Sequence, residues 1–365
     1  MGVIFLSSLL AVLFAYLSSR IPHKSYLFEV GFVIITIVAA IRWDYACDYV
    51  RYYESFLDDY HLSGFWEDVS LGSFKEPGWA ILNHIFPPNP FGFVSLVALI
   101  SIFQNFVYYQ FIRENVPSAH RWFAMMIYLF STSYWIMNMS MLRQGLTITM
   151  FVFASKFIAE KKIGPSILIL LIAPTIHKTA YLLLPMLFFL FVPLKKGKRI
   201  ALIFIGVFFV IFFENDVLND IVNLAFSFEK LGGYSHYIDD SDAGSFGLGG
   251  LINLIPFFVM GYFLITKFDG FNNNFKLVLF FSLISFCLLP LQIINGAFTR
   301  ITTYFSVFLI VVVPVLYGQI SNKPLRFALT SLFLLMLLYQ YYLFMFVTDW
   351  SSTEWRNYHT VFDLL

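Results

Sequence analysis

"IGPSILILLIAPTIHKTAYLLLPMLFFLFVPL", residues 163–194, is the stretch on which the fold turns. It is long enough to be one apolar helix, or two short arms folded into a hairpin. The choice decides the orientation of every later segment, and charge decides the choice. Read as a hairpin, with Pro174 interrupting the helix and the N-terminus outside, the chain places 14 of its 23 lysines and arginines in loops on one side. The same reading puts 18 of the 22 acidic residues on the other side. Read as one helix, it turns "KKGKR" (195–199) outward and leaves nine basic residues inside. The positive-inside bias favours the hairpin. Its first arm, 163–175, spans only about 20 Å at 1.5 Å per residue, short against a core of roughly 30 Å. The arm therefore ends inside the membrane and sets His177 below the outer surface.

Working outward from that hairpin, the remaining segments are equally apolar. The 365 residues are 59% hydrophobic and 20% aromatic, with 12% charged and a mean hydropathy of +0.76. A soluble domain carries about 25% charged residues. The chain is expected to be an all-α polytopic membrane protein, one transmembrane domain over 1–365 with about twelve membrane helices or half-helices. The spans are read near 2–19, 26–41, 91–112, 122–138, 144–160, 163–175, 177–192, 200–213, 251–266, 276–294, 301–317 and 325–347. Both termini are placed outside. The first span lacks a basic leader region and a small-residue cleavage site, so it reads as a retained helix. Two cysteines, Cys47 and Cys287, define neither a disulfide framework nor a zinc site. A net charge of +1 says little, because in a membrane protein the distribution of charge matters more than its sum, and no nucleic-acid partner is expected. Segments 42–90 and 214–250 are the long outer loops, and long loops among short connections are commonly functional.

Polar residues bordering outer helix ends are the candidates for chemistry. Arg143 in "MLRQG", His177 in "TIHKTAY" and Arg300 in "FTRITTYF" each start a helix running inward. A helix N-terminus offers free N–H donors and partial positive charge, and an arginine there makes an anion site suited to a diphosphate. His177 and Asp48 are candidate bases. Asp44 and Asp48, four apart in "RWDYACDYVRYY" (42–53), can share a helix face, and Glu76 in "KEPGWAILNHIF" precedes Pro77. Each type also has an ordinary use. Terminal arginines anchor to headgroups, carboxylates beyond a helix are commonly solvated, and tyrosines and tryptophans fill the aromatic belt.

Five motifs, "RWDYACDYVRYY", "KEPGWAILNHIF", "MLRQGLTITMFVFASKFI", "IHKTAYLLLP" and "TRITTYF", stand in an order and at distances that resemble the EpsG family of membrane proteins. That family groups with Wzy-type O-antigen and exopolysaccharide polymerases. The resemblance spans about residues 28–320. It implies functional roles for Arg42, Asp48, Tyr49, Glu76, Arg143, Gln144, His177, Arg300 and Tyr304. In the first motif Ala46 and Cys47 replace the family's Gly-small pair, which leaves Asp44 as an additional acid rather than the matching one.

The resemblance implies a metal-independent glycosyltransferase without cofactor, similar to lipid-donor (GT-C-like) enzymes, in a bacterial inner membrane with its active site facing the periplasm or exterior. It implies joining of undecaprenyl-diphosphate-linked repeat units into O-antigen, capsule or exopolysaccharide. His177, Asp48, Arg143 and Arg300 carry catalysis in that reading, and Arg42, Tyr49, Glu76, Gln144 and Tyr304 bind substrate. Donor and acceptor are both lipid-linked glycans, and a chain-length regulator and flippase of the same pathway are expected partners. The alternatives are a lipid-linked oligosaccharide flippase or transporter, and an O-antigen ligase. Against a transporter, the halves show no repeat and the polar residues cluster on one side.

Overall fold

A computed structural model describes residues 2–61, 76–192, 254–294 and 297–347, with short pieces at 199, 203–204, 206–208, 355 and 357–364. The expected outer loop 214–250, the middle of the 42–90 segment, most of "KKGKR" and most of the span expected at 200–213 lie outside the described residues.

The chain is an all-α membrane protein. Among the described residues, Gly2–Arg20, Pro90–Asn115, Asn273–Leu291 and Lys323–Val347 are long and apolar enough to cross a membrane. The pair Phe298–Ser306 and Leu309–Gly318, bent by 47°, makes a fifth if taken as one span. Shorter apolar helices, Leu27–Ala40, Ile163–Ile176, Lys178–Leu190 and Ile255–Thr266, occupy other positions expected for spans. Large apolar side chains such as Leu6, Leu13, Leu168, Leu171, Phe327 and Leu335 remain exposed, as side chains facing lipid tails do. The opposite face of the first helix buries small Ala11 and Ala15, which lets Leu27–Ala40 pack closely against it.

The stretch does fold back on itself over its described residues, 163–192. Lys161 Nζ, before the first arm, donates to the carbonyls of Phe189 (2.5 Å) and Val192 (3.1 Å) at the end of the second. Pro174 does not make the break, however. The helix runs on to Ile176 with Pro174 inside it, and the chain turns at His177, whose backbone is extended (φ −149°, ψ 121°). His177 thus sits at the tip of the hairpin.

Two expected spans are interrupted. The helix read at 122–138 stops at Phe130, where Ser131 turns extended, and continues as a π-helical turn Thr132–Ile136 and a short helix Met137–Ser140. Polar Ser131, Thr132 and Ser133 offer side-chain alternatives to the helical ladder there. The span read at 301–317 begins earlier, at Ala297, and bends between Ser306 and Leu309.

The C-terminal segment meets the "RWDYACDYVRYY" stretch and the helix before it. Arg42–Trp43 pairs antiparallel with His359–Thr360, Arg42 opposite Thr360. Trp355 is fully buried against Tyr45 and Phe344, and its indole N–H donates to Cys47 Sγ (3.0 Å). Tyr358 Oη donates to the Val38 carbonyl (2.6 Å). Phe5 of the first helix lies 6.2 Å from Tyr341. At the far end of those same helices Arg20, Lys323 and Arg326 surround a cavity.

Candidate active site

Glu76 is the hub. It occupies the N-cap position of Pro77–His84, with Pro77 fixing the first helical φ, yet its side chain makes no bond to its own helix. It reaches across instead. Oε1 accepts from His177 Nδ1 (2.9 Å) and from the Lys178 backbone N–H (2.9 Å), while Oε2 accepts from Arg143 Nη1. The close approach depends on Gly78, where an added Cβ would stand 2.2 Å from Thr175 Oγ1 in the hairpin's first arm. Burial alone would raise the Glu76 carboxyl. The His177 hydrogen bond, the Arg143 charge and the Lys178 N–H outweigh it and hold the group at about 2. Glu76 is therefore an anion at any physiological pH.

That anion fixes its neighbour. With Glu76 accepting at Nδ1, the neutral His177 ring carries its proton there and its lone pair at Nε2. Nε2 is buried and has no partner among the described residues. The charges of Arg143 and Arg300 both act on the ring. Arg143 lies in the first turn of Leu142–Ala159, its guanidinium 5.3 Å from the Tyr52 ring centre. Its side chain keeps 36% of its exposure, and its Nε is buried without a partner among the described residues. Arg300 is half-buried in Ala297–Ser306, and its carbonyl accepts from Gln144 Nε2 (2.9 Å).

Beneath these charges lies a hydroxyl clamp. Tyr304, fully buried, places its Oη 2.7 Å from Thr147 Oγ1 and 2.9 Å from Thr179 Oγ1. One phenol thereby joins Leu142–Ala159, the hairpin's second arm and Ala297–Ser306, the three elements carrying Arg143, His177 and Arg300. The geometry gathers these three residues with Glu76, Gln144 and Tyr304 into one cluster.

The first motif divides differently. Arg42 is 1% exposed and turns its terminal nitrogens to the Ala39 carbonyl, Ser101 Oγ (3.0 Å) and the Met139 carbonyl (3.2 Å), while its buried Nε has no partner among the described residues. Tyr49, also buried, donates to the Arg42 carbonyl (3.1 Å) and packs edge-on to Trp43 and Phe93. Asp48 is half-buried near Ser140 Oγ (3.5 Å), and its charge acts on Tyr52. Asp44 is exposed at φ 45°. Ala46 takes φ 87°, so the position where the resembling motif carries glycine requires the left-handed region.

A family model described as the EpsG family matches residues 25–360. The chain belongs to the EpsG family. No curated protein and no solved structure matches it significantly. In this EpsG-family chain three cluster residues escaped the sequence reading: Thr147 and Thr179 on Tyr304, and Gly78 against Thr175. Tyr52, under Arg143, is the tyrosine three residues after Tyr49 with which the first motif resembles the family's. Thr147, one turn after Gln144, shares a helix face with it, and Thr179 follows His177 by two.

Proposed function

We propose that this EpsG-family protein is a polymerase that joins lipid-linked oligosaccharide repeat units, with Glu76, His177 and Arg300 at the centre of its chemistry. The observation that carries the reading is the buried His177 Nε2, without a partner among the described residues, on a ring that an anionic Glu76 holds through Nδ1 and two arginine charges act on. The donor is a growing glycan on undecaprenyl diphosphate, and the acceptor is one repeat unit on the same lipid. The acceptor hydroxyl gives its proton to His177 Nε2 as its oxygen bonds to the donor's anomeric carbon. The bond from that carbon to the diphosphate oxygen breaks, and undecaprenyl diphosphate leaves with the electron pair.

Glu76 acts through His177, fixing the tautomer and stabilising the imidazolium as it forms. Arg300 stabilises charge on the departing diphosphate. Arg143 has one donor committed to Glu76 and contributes its remaining face. His177 is preferred to Asp48 as base because Asp48 has no orienting partner of this kind. Arg42 and Tyr49 are assigned to holding the first motif in shape rather than to touching sugar.

The orientation follows from charge. The basic end is cytoplasmic by the positive-inside rule, so the cluster faces the periplasm or exterior of a bacterial inner membrane. This places the reaction with those of lipid-donor transferases. A ligase shares the donor chemistry and differs in acceptor. The grouping of polar residues at one end favours either enzyme over a flippase, which needs groups along a path from the cytoplasm. The test is complementation of a strain lacking the gene, read as a glycan ladder. Arg300→Ala and His177→Ala should each abolish elongation while the protein still inserts. Full-length ladders from both would refute the assignment.

A further inference from the structure

The cavity at the opposite end of the bundle from Glu76 is unrelated to that chemistry. It measures about 490 Å³ and opens between the end of the first helix, the turn before Arg121, and the turn joining Leu309–Gly318 to Lys323–Tyr342. Arg20, Lys323 and Arg326 line it together with His120, and among the described residues no carboxylate does. Arg20 and Lys323 are exposed, whereas Arg326 and His120 are half-buried. Arg326 Nη1 donates to the Gly318 carbonyl (3.2 Å), which fixes one cation in place and leaves its other donors available. The cavity also depends on Gly318, where a Cβ would lie 2.5 Å from His120 Nε2.

Three like charges around one concavity repel one another, so the arrangement favours an anion between them. Burial, and then the Arg326 charge, lower the His120 pKa from its ordinary value. The neutral ring is thus a hydrogen-bonding group rather than a fourth charge. Between the cations the lining is mostly apolar, with Trp122 and the largely exposed Phe327 in it, and three hydroxyl residues, Ser19, Thr330 and Ser331, also line the cavity. A soluble anion gains nothing from that surface, but an acyl chain does. Basic pockets between membrane helices have this combination when they hold phosphate headgroups.

We propose that this cavity is a specific site for an anionic phospholipid, with the headgroup phosphate between Arg20, Lys323 and Arg326 and the acyl chain along Trp122 and Phe327. The site joins the first helix to the last long one, elements that also meet at the other end through Phe5 and Tyr341. Its occupancy therefore clamps the N- and C-terminal parts of the bundle at the end distant from Glu76.

The experiment is native mass spectrometry of the purified full chain in neutral detergent, titrated separately with phosphatidylglycerol, phosphatidylcholine and inorganic phosphate. One phosphatidylglycerol should bind saturably, phosphatidylcholine should not, and phosphate should compete only weakly. Each cation near an anionic headgroup is worth roughly fivefold in affinity, so the triple variant Arg20→Gln, Lys323→Gln, Arg326→Gln should lose roughly a hundredfold. The double variant Arg20→Gln, Lys323→Gln keeps the Arg326 bond to Gly318 and should lose roughly 25-fold. A charge-matched control, Lys162→Gln, Lys267→Gln, Lys276→Gln, should change affinity less than about fivefold. Equal losses in the double variant and the control would overturn the site, as would phosphatidylglycerol binding that the double variant leaves intact. Tight binding of inorganic phosphate with no further gain from lipid would overturn the lipid assignment.

Discussion

Replacing Glu76 by glutamine keeps the shape of the hub and removes its charge. The carboxylate is 9% exposed and takes three donors, from His177, Lys178 and Arg143. Its pKa falls from 4.5 to about 2, which corresponds to about 3 kcal/mol of stability at 1.36 kcal/mol per unit. Arg143 keeps 36% of its exposure, so solvent screening reduces the expected figure to about 2 kcal/mol. A folded-state pKa below the unfolded one contributes stability fully above the unfolded value and loses it as pH falls through the folded one. The wild type should therefore exceed Glu76→Gln by about 2 kcal/mol at pH 7, with more than half of the gap gone by pH 3. The assay is equilibrium unfolding in mixed micelles across that range. A gap of equal size at pH 3 and pH 7, or one below about 0.5 kcal/mol at pH 7, would refute the reasoning. If the carboxylate also orients the base, turnover should fall by roughly 10²–10⁴, and His177→Ala in the same background should add little.

Three further changes probe the scaffold. Gly78→Val pushes a side chain into Thr175, and should cut activity sharply through displacement of Glu76 while leaving insertion and the opposite cavity intact; unchanged turnover would exclude the close-approach argument. Tyr304→Phe leaves the Thr147 and Thr179 hydroxyls without their shared partner and should cost about 1–3 kcal/mol in the same unfolding assay. Ala46→Gly relieves a left-handed alanine and should gain about 0.5–1 kcal/mol, read as a raised unfolding midpoint; a loss would place the strain elsewhere.

What could be read from the sequence follows from which forces act locally. The hairpin was legible because charge sets the side of each loop, and 14 basic residues agree on one answer. Its turning point was not. Pro174 is the conspicuous breaker, but a helix can carry a proline when neighbouring elements satisfy the freed groups, and the chain turns three residues later at His177. The bend after Ser306 falls at Val307 and Phe308, residues that give no turn signal. The cluster was legible in its members, because arginine and histidine at apolar helix ends are costly and stand out. Their relations were not legible. Nothing in local spacing told that Glu76 would leave its own helix to hold His177, 101 residues away. Nor did spacing reveal that Arg42, an equally conspicuous arginine, would bury itself on Ala39, Ser101 and Met139. The tail's packing on the first motif was not legible for the same reason, since Trp355 on Cys47 is a contact across 308 residues.

The most direct measurement of the central claim is polymerisation by purified protein given a lipid-linked repeat unit of defined structure, with products resolved by length. Wild type should yield a ladder and release undecaprenyl diphosphate in step with each bond formed. His177→Ala should yield neither, yet still bind the lipid-linked donor. A ladder of wild-type length from His177→Ala, or no ladder from the wild type with the repeat unit moved intact across a bilayer instead, would contradict the account.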